Sequence, residues 1–317
     1  MSTLDFIPIS VSTLVPTDSI GLDLYQVDEE SSRKVLFRGS DYPHPSDIER
    51  LKGRGVSRLY IEKSARDRYQ EYLRDLASTD DAGDIPIAAR TGAMTEVVRD
   101  VLENSFTSGE TGQIVESAQE MGAMTAGILS DDDFSAGDMF RVLHHDYATF
   151  THSANVAFYA GLLASEMGFT EDEVAKVTVG GLLHDVGKLA VDDRILCKPG
   201  KLDDEEFRRI RMHPLTGFRQ LVQRDDLCEG QLLMAYQHHE RMDGKGYPVG
   251  LVAEEIHDWG RLCAVVDVFE ALTSQRPYRQ PMPRAKALEL MHRDNGTAFD
   301  PEMLACWTSI IQTSVSV

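Results

Sequence analysis

Apolar and polar positions change period along the chain. Up to residue 62 they alternate in short runs, FIPISV at 6–11, GLDLYQV at 21–27, KVLFRG at 34–39 and VSRLYI at 56–61, separated by Pro, Asp and Ser. Alternation over so few residues predicts strands. Ser46-Asp47-Ile48-Glu49 has the spacing of a capping box and predicts a helix that stops near Gly53-x-Gly55. Residues 1–62 thus read as a small α/β module. Residues 63–80 are charged and helical in pattern, TDDAGDIP at 79–86 breaks them, and 87–130 is helical again, with MTEVVRDVLENSF its clearest amphipathic piece. We read 63–135 as a helical connector, closed by Ser130-Asp131-Asp132-Asp133. From 136 to 317 the apolar period is helical almost throughout. Thr170-Glu171-Asp172-Glu173 and Asp203-Asp204-Glu205-Glu206 each place an acidic residue three positions after a cap, and Asp300-Pro301 places proline first in a helix. With strand-like runs scarce there, the fold is expected to be mainly α, a helical bundle carrying a small N-terminal α/β module.

Composition narrows the function. The net charge of −20 argues against nucleic acid as a partner, because phosphates meet repulsion over most of the surface. A small phosphorylated substrate needs only a locally positive site, which bound cations can provide. No run of about 18 apolar residues suggests a membrane span, and MSTLDFIPIS lacks the basic-then-apolar order of a secretory signal. Cys197, Cys228, Cys263 and Cys306 form no C-x-x-C pair and read as small core residues, as in a reducing cytoplasm.

His184-Asp185 ends the apolar run Val177–Leu183. A carboxylate placed directly after a buried helix is costly unless paired, and a metal is a ready partner for an adjacent His and Asp. Histidines concentrate in the same half of the chain: His152 before an apolar helix, His213 at the end of the helix begun at Asp203, and His238-His239 further on. Asp267 is a lone carboxylate in an apolar helix. Each has an ordinary structural reading by itself. Together, on separate helices, they match the way bundles build dinuclear sites.

These residues also carry a resemblance. The pattern H-(x31)-HD-x-x-K-(x24)-H-(x24)-HHE-x-x-D-G-x-G-Y-P-(x18)-D, with HDVGK at 184–188, ILCKPGKL at 195–202, HHERMDGKGYP at 238–248 and DVFEALTSQRPYR at 267–279, resembles the HD-GYP family of metal-dependent phosphohydrolases over roughly residues 138–310. The resemblance implies hydrolysis of cyclic di-GMP to pGpG, and in some members on to GMP. It implies two divalent ions, iron or manganese, one among His152, His184, Asp185 and Asp267, the other among Asp185, His213, His238 and His239. Ala148 stands where some members have a glutamate, so a third ion is not expected. Asp185 and Lys188 are the expected catalytic residues. Lys188, Asp243, Gly246, Tyr247, Pro248, Arg276 and Arg279 are the expected substrate contacts, with Lys198 and Lys201 weaker candidates. The alternatives are a receptor or protein-interaction module of low turnover, and a hydrolase of another cyclic dinucleotide such as cyclic GMP-AMP. Pairing of two copies through the connector and signalling-protein partners are further expectations, as is a cytoplasmic location.

Overall fold

The computed structural model describes residues 6–15, 20–27, 33–39, 44–78, 85–108, 111–131, 134–137, 140, 149–196, 198, 200–275 and 280–315. They form two compact units, 1–97 and 98–317.

In the first unit the alternating runs pair as strands β1 (Phe6–Ser10), β2 (Leu24–Val27), β3 (Arg33–Phe37) and β4 (Arg58–Glu62), in the order β1-β4-β2-β3. β1 lies antiparallel to β4 with Phe6 opposite Glu62 and Ser10 opposite Arg58. Ile9, Leu24, Leu59 and Ile61 point into the core. Helix α1 (Pro45–Gly53) starts two residues earlier than a cap at Ser46 would give, because Pro45 takes the first helical position and His44 Nδ1 caps it, accepting from the Ser46 amide at 3.3 Å. Helix α2 (Arg66–Ala77) docks through tyrosines: Tyr69 Oη lies 3.0 Å from Thr13 Oγ1, and Tyr72 Oη donates to the Thr13 carbonyl at 2.8 Å. Helix α3 (Ile87–Ser108) follows, and the division between the two units falls within it.

The second unit is helical. Helix α6 (Glu171–Leu183) packs against α4 (Thr111–Leu129), α5 (Thr149–Glu166) and α10 (Glu229–Gln237). Helix α11 (Asp258–Thr273) packs against α5, α10, α12 (Arg284–His292) and α13 (Pro301–Val315). The expected caps form: Thr170 and Asp203 each complete a capping box, and Asp300 Oδ1 accepts from the Glu302 and Met303 amides. Phe140, Tyr159, Phe269 and Trp307 close one end of the core with ring centroids 5.2–6.2 Å apart. Small residues let α5 and α6 approach closely; a Cβ on Gly181 would meet Ala157 Cα at 2.8 Å. That contact brings His152 and His184 together. Among the described residues no helix is long and apolar enough to cross a membrane.

Two local expectations change. The helix begun at Asp204 ends at Ile210, and His213 opens a new helix, α9 (His213–Leu221), because Pro214 cannot continue the first one. Of the cysteines, Cys263 is buried, but Cys228 and Cys306 are only half-buried. Cys197 lies outside the described residues, as do His144, His145 and Ala148.

Candidate metal centre

Five elements deliver the predicted ligands to one cluster. His152 comes from the first turn of α5, His184 and Asp185 from just beyond α6, His213 from the start of α9, His238 and His239 from just beyond α10, and Asp267 from mid-α11. His152, His184, Asp185, His213, His238 and Asp267 are buried, and His239 is partly exposed.

The tautomers decide what the imidazoles can do. His184 Nδ1 sits 2.7 Å from the Gly181 carbonyl, His213 Nδ1 2.6 Å from the Ile210 carbonyl, and His238 Nδ1 3.0 Å from the Met234 carbonyl. A carbonyl only accepts, so each Nδ1 carries the proton and each Nε2 presents a lone pair. Those lone pairs converge: His213 Nε2 and His238 Nε2 are 3.2 Å apart. Asp185 stands at the centre and divides its oxygens between them. Its Oδ1 faces His213 Nε2 at 3.1 Å and His238 Nε2 at 3.7 Å. Its Oδ2 faces His184 Nε2 at 3.3 Å and His152 Nε2 at 3.5 Å, and accepts from Lys188 Nζ. Lone pair meets lone pair at most of these contacts. His184 Nε2 and Asp185 Oδ1 are accordingly buried without a hydrogen bond, an arrangement that only a cation relieves at low cost. Three ligand groups lie within bonding reach of a common ion: Asp185 with His213, His238 and His239; His152 with His184 and Asp185; and His184 with His238 and Asp267. The donor set fits divalent cations with nitrogen and oxygen ligands.

Charge follows the same geometry. Burial, with the neighbouring imidazoles adding to it, holds His238 well below the usual imidazole range. Burial likewise takes His239 down to about 3, so both stay neutral and able to ligate. Burial opposes charge on Asp185 too, but Lys188 and His184 outweigh it and keep the carboxylate ionised. At Asp267 the hydrogen-bonded His152 does the same. His152 is the exception among the imidazoles. Burial is overcome by Glu270, Asp185 and Asp267, and its pKa rises well above the usual range. Its Nε2 lies 3.2 Å from Asp267 Oδ1, so a proton or a shared cation must stand between nitrogen and carboxylates.

Glu270 had no expected role. It sits one helical turn after Asp267, is buried, and accepts from His152 Nδ1 at 2.5 Å, from Asn155 Nδ2 at 3.1 Å and from Ser274 Oγ at 2.5 Å. It fixes the His152 tautomer just as the backbone carbonyls fix the others. The signal was a second acidic residue in the apolar stretch DVFEALTSQ, three positions from the first. Glu240, the third residue of HHE, was also missed. Buried itself, it accepts from the amides of Val249, Gly250 and Leu251 at 2.8–3.1 Å and so ties down the GYP loop.

The expected substrate contacts divide. Lys188 reaches the centre. Tyr247 lies against His239, centroids 4.6 Å apart and planes 30° apart, and is joined to Pro248 by a cis bond. Gly246 passes so close to the Glu240–Arg241 backbone that a Cβ would lie 2.5 Å from Glu240 Cα. Asp243 is turned to the loop, accepting two hydrogen bonds from Arg241 at 3.0 Å. Lys198 is paired with Glu206 at 2.5 Å. Arg276 and Arg279 lie outside the described residues.

The HD domain family matches residues 141–303, half of the chain. A cyclic di-GMP phosphodiesterase of Pseudomonas aeruginosa is 31% identical over 285 residues, which cover 84% of this chain and 67% of that protein. The chain belongs to the HD-GYP family. A second relative, the 3′3′-cGAMP-specific phosphodiesterase 3 of Vibrio cholerae, is 34% identical over 230 residues, 69% of this chain and 50% of that protein. The chain thus spans about half to two thirds of these relatives' length. An HDG"Y"P protein of Bdellovibrio bacteriovorus aligns over 97% of this chain and all of its own, with a TM-score of 0.68 at 20% identity, and shares its fold. Membership of the HD phosphodiesterases implies divalent metal binding, and the His/Asp cluster of this chain has the ligand groups to hold it.

Proposed function

We propose that the chain hydrolyses cyclic di-GMP to linear pGpG at a centre holding two divalent cations, iron or manganese. One observation carries this reading: each oxygen of Asp185 addresses its own group of imidazoles, His152 and His184 on one side, His213 and His238 on the other. Asp267 completes the first set and His239 the second. Divalent cations bound there supply Lewis acidity, which makes water nucleophilic near neutral pH and neutralises phosphate oxygens.

The chain's own residues do the rest. Asp185 holds both sets in register. Glu270 keeps the Nε2 lone pair of His152 turned inward. Lys188 spends one N–H on Asp185 Oδ2 and keeps two for a phosphate oxygen. Tyr247 packs against His239 and steadies that ring beside the centre. One P–O bond breaks; the oxygen of water ends on phosphorus and a proton on the leaving ribose oxygen. The chemistry is assigned to residues 136–317.

The test is product analysis with cyclic di-GMP and Mn(II) or Fe(II), beside Asp185→Ala. Metal-dependent pGpG formation, reduced by at least about 10³-fold in the variant, is expected. Turnover no greater than that of the variant would refute the proposal, and tight binding without turnover would recast the site as a receptor. The Vibrio cholerae relative supports a second reading, cyclic GMP-AMP as substrate. The ratio of kcat/KM for the two dinucleotides decides between them.

A further inference from the structure

Arginines in this chain generally have a carboxylate at hand. Arg194, Arg208, Arg224, Arg241, Arg261 and Arg293 are each paired with one. That is the natural outcome with 52 acidic residues against 32 basic ones. Arg211, between helix α8 (Asp204–Ile210) and the metal-site residue His213, is an exception, as are Arg219 and Arg284. Among the described residues no acidic side chain pairs with Arg211. Its guanidinium instead lies over the ring of Tyr247, Cζ 4.5 Å from the centroid, and 5.9 Å from the centroid of Phe207. Tyr247 in turn lies against His239. A stack of four side chains, His239, Tyr247, Arg211 and Phe207, therefore runs from the metal centre to the surface, where Phe207 is 50% exposed.

A guanidinium held by its face keeps its N–H edges free. Those edges match two oxygens of a phosphate. The phosphodiester to be cleaved belongs over the ligand cluster, where Lys188 stands. Arg211 is one aromatic ring further out, and a cyclic dinucleotide carries a second phosphodiester across its macrocycle. We infer that Arg211 is a substrate-binding residue whose guanidinium, braced on Tyr247, holds the phosphodiester that is not being cleaved. This rests on the cyclic dinucleotide phosphodiesterase reading above.

The experiment compares wild type, Arg211→Ala and Arg211→Lys, all metal-loaded and checked by elemental analysis. The substrates are cyclic di-GMP and bis(p-nitrophenyl) phosphate, a diester with a single phosphate. Losing a charge-assisted contact in R211A is expected to raise KM for cyclic di-GMP about 10- to 100-fold, with a much smaller change in kcat. The ratio of kcat/KM for cyclic di-GMP to that for the small diester should fall by at least about tenfold. The salt dependence of KM should flatten, and R211K, which keeps the charge and loses the fork, should recover part of the loss. An unchanged ratio, with both substrates losing equally, would mean that Arg211 only props Tyr247, and would overturn the inference. Should the wild type hydrolyse neither substrate, the hydrolase reading fails first. Equilibrium binding of cyclic di-GMP then judges Arg211: at least about tenfold weaker binding by R211A supports it, equal binding overturns it, and no binding by wild type overturns both.

Discussion

Glu270 shows how much of this centre depends on atoms one bond removed from it. Three of the imidazoles have their Nδ1–H held by a backbone carbonyl; His152 depends on a side chain. Glu270→Ala should therefore release the His152 ring and strand Asn155 and Ser274. Affinity for Mn(II), read by titration of the apo-protein, is expected to fall about 10- to 100-fold while the fold persists. His152 was visible in the sequence as a candidate ligand and Glu270 was not, because spacing shows which residues share a helix face and not which hydrogen-bond partner each one takes. Asp243 yields a prediction of the opposite kind, one about stability. The Arg241 guanidinium, with the Lys245 amide, lowers its carboxyl from an ordinary 3.8 to about 2. A depressed carboxyl stabilises the fold above its unfolded pKa and loses that contribution as pH falls through the folded one. Wild type should therefore exceed Asp243→Ala in denaturant stability at pH 7, with the gap shrinking as pH drops from about 4 towards 2.

Elements bring the ligands together through close backbone contacts that leave no room for larger side chains. The 3-10 turn Val186–Ala190, just after Asp185, presses on the start of α9 so tightly that a Cβ on Gly187 would lie 2.0 Å from the His213 carbonyl oxygen and 2.5 Å from the Gly217 amide nitrogen. Gly187→Ala should push His213 away from Asp185. A stability loss of about 1–3 kcal/mol and a lower metal content by elemental analysis are the expected results. The GYP loop has its own anchor. Removing the Glu240 carboxylate leaves three amides, those of Val249, Gly250 and Leu251, without their acceptor. Glu240→Ala should cost about 1–3 kcal/mol in denaturant unfolding and raise KM with metal content unchanged. At this scale the reading from sequence succeeded at the capping boxes of Thr170 and Asp203. It slipped where a proline resets the helix start: Pro214 lets His213 open a helix instead of closing one, and α1 begins at Pro45 under a histidine cap.

For the molecule as a whole, a divalent ion held at the centre would act as a cross-link. Elements far apart in sequence, from α5 to the end of α10, meet at Asp185 and turn buried lone pairs towards one another. An ion that binds only the folded state stabilises it by mass action, about 2.7 kcal/mol at a hundred times its dissociation constant. Stripping metal with a chelator should therefore lower the thermal midpoint of the helical unit by about 5–10 °C, and adding Mn(II) back should restore it. The same scan on Asp185→Ala should show little response to metal.

The chain by itself determined the mainly α architecture with its small α/β module, and it marked out His152, His184, Asp185, His213, His238, His239 and Asp267 as one set. Helical period, caps and the rarity of an acid after an apolar run are local properties, readable without neighbours. Only the tertiary structure decided which nitrogen of each ring points inward, that Asp185 splits its oxygens between two groups, and that Glu270, Glu240 and Arg211 belong to the site's surroundings. These depend on which distant backbone or side chain supplies the hydrogen-bond partner, and the separation of residues along the chain does not encode that.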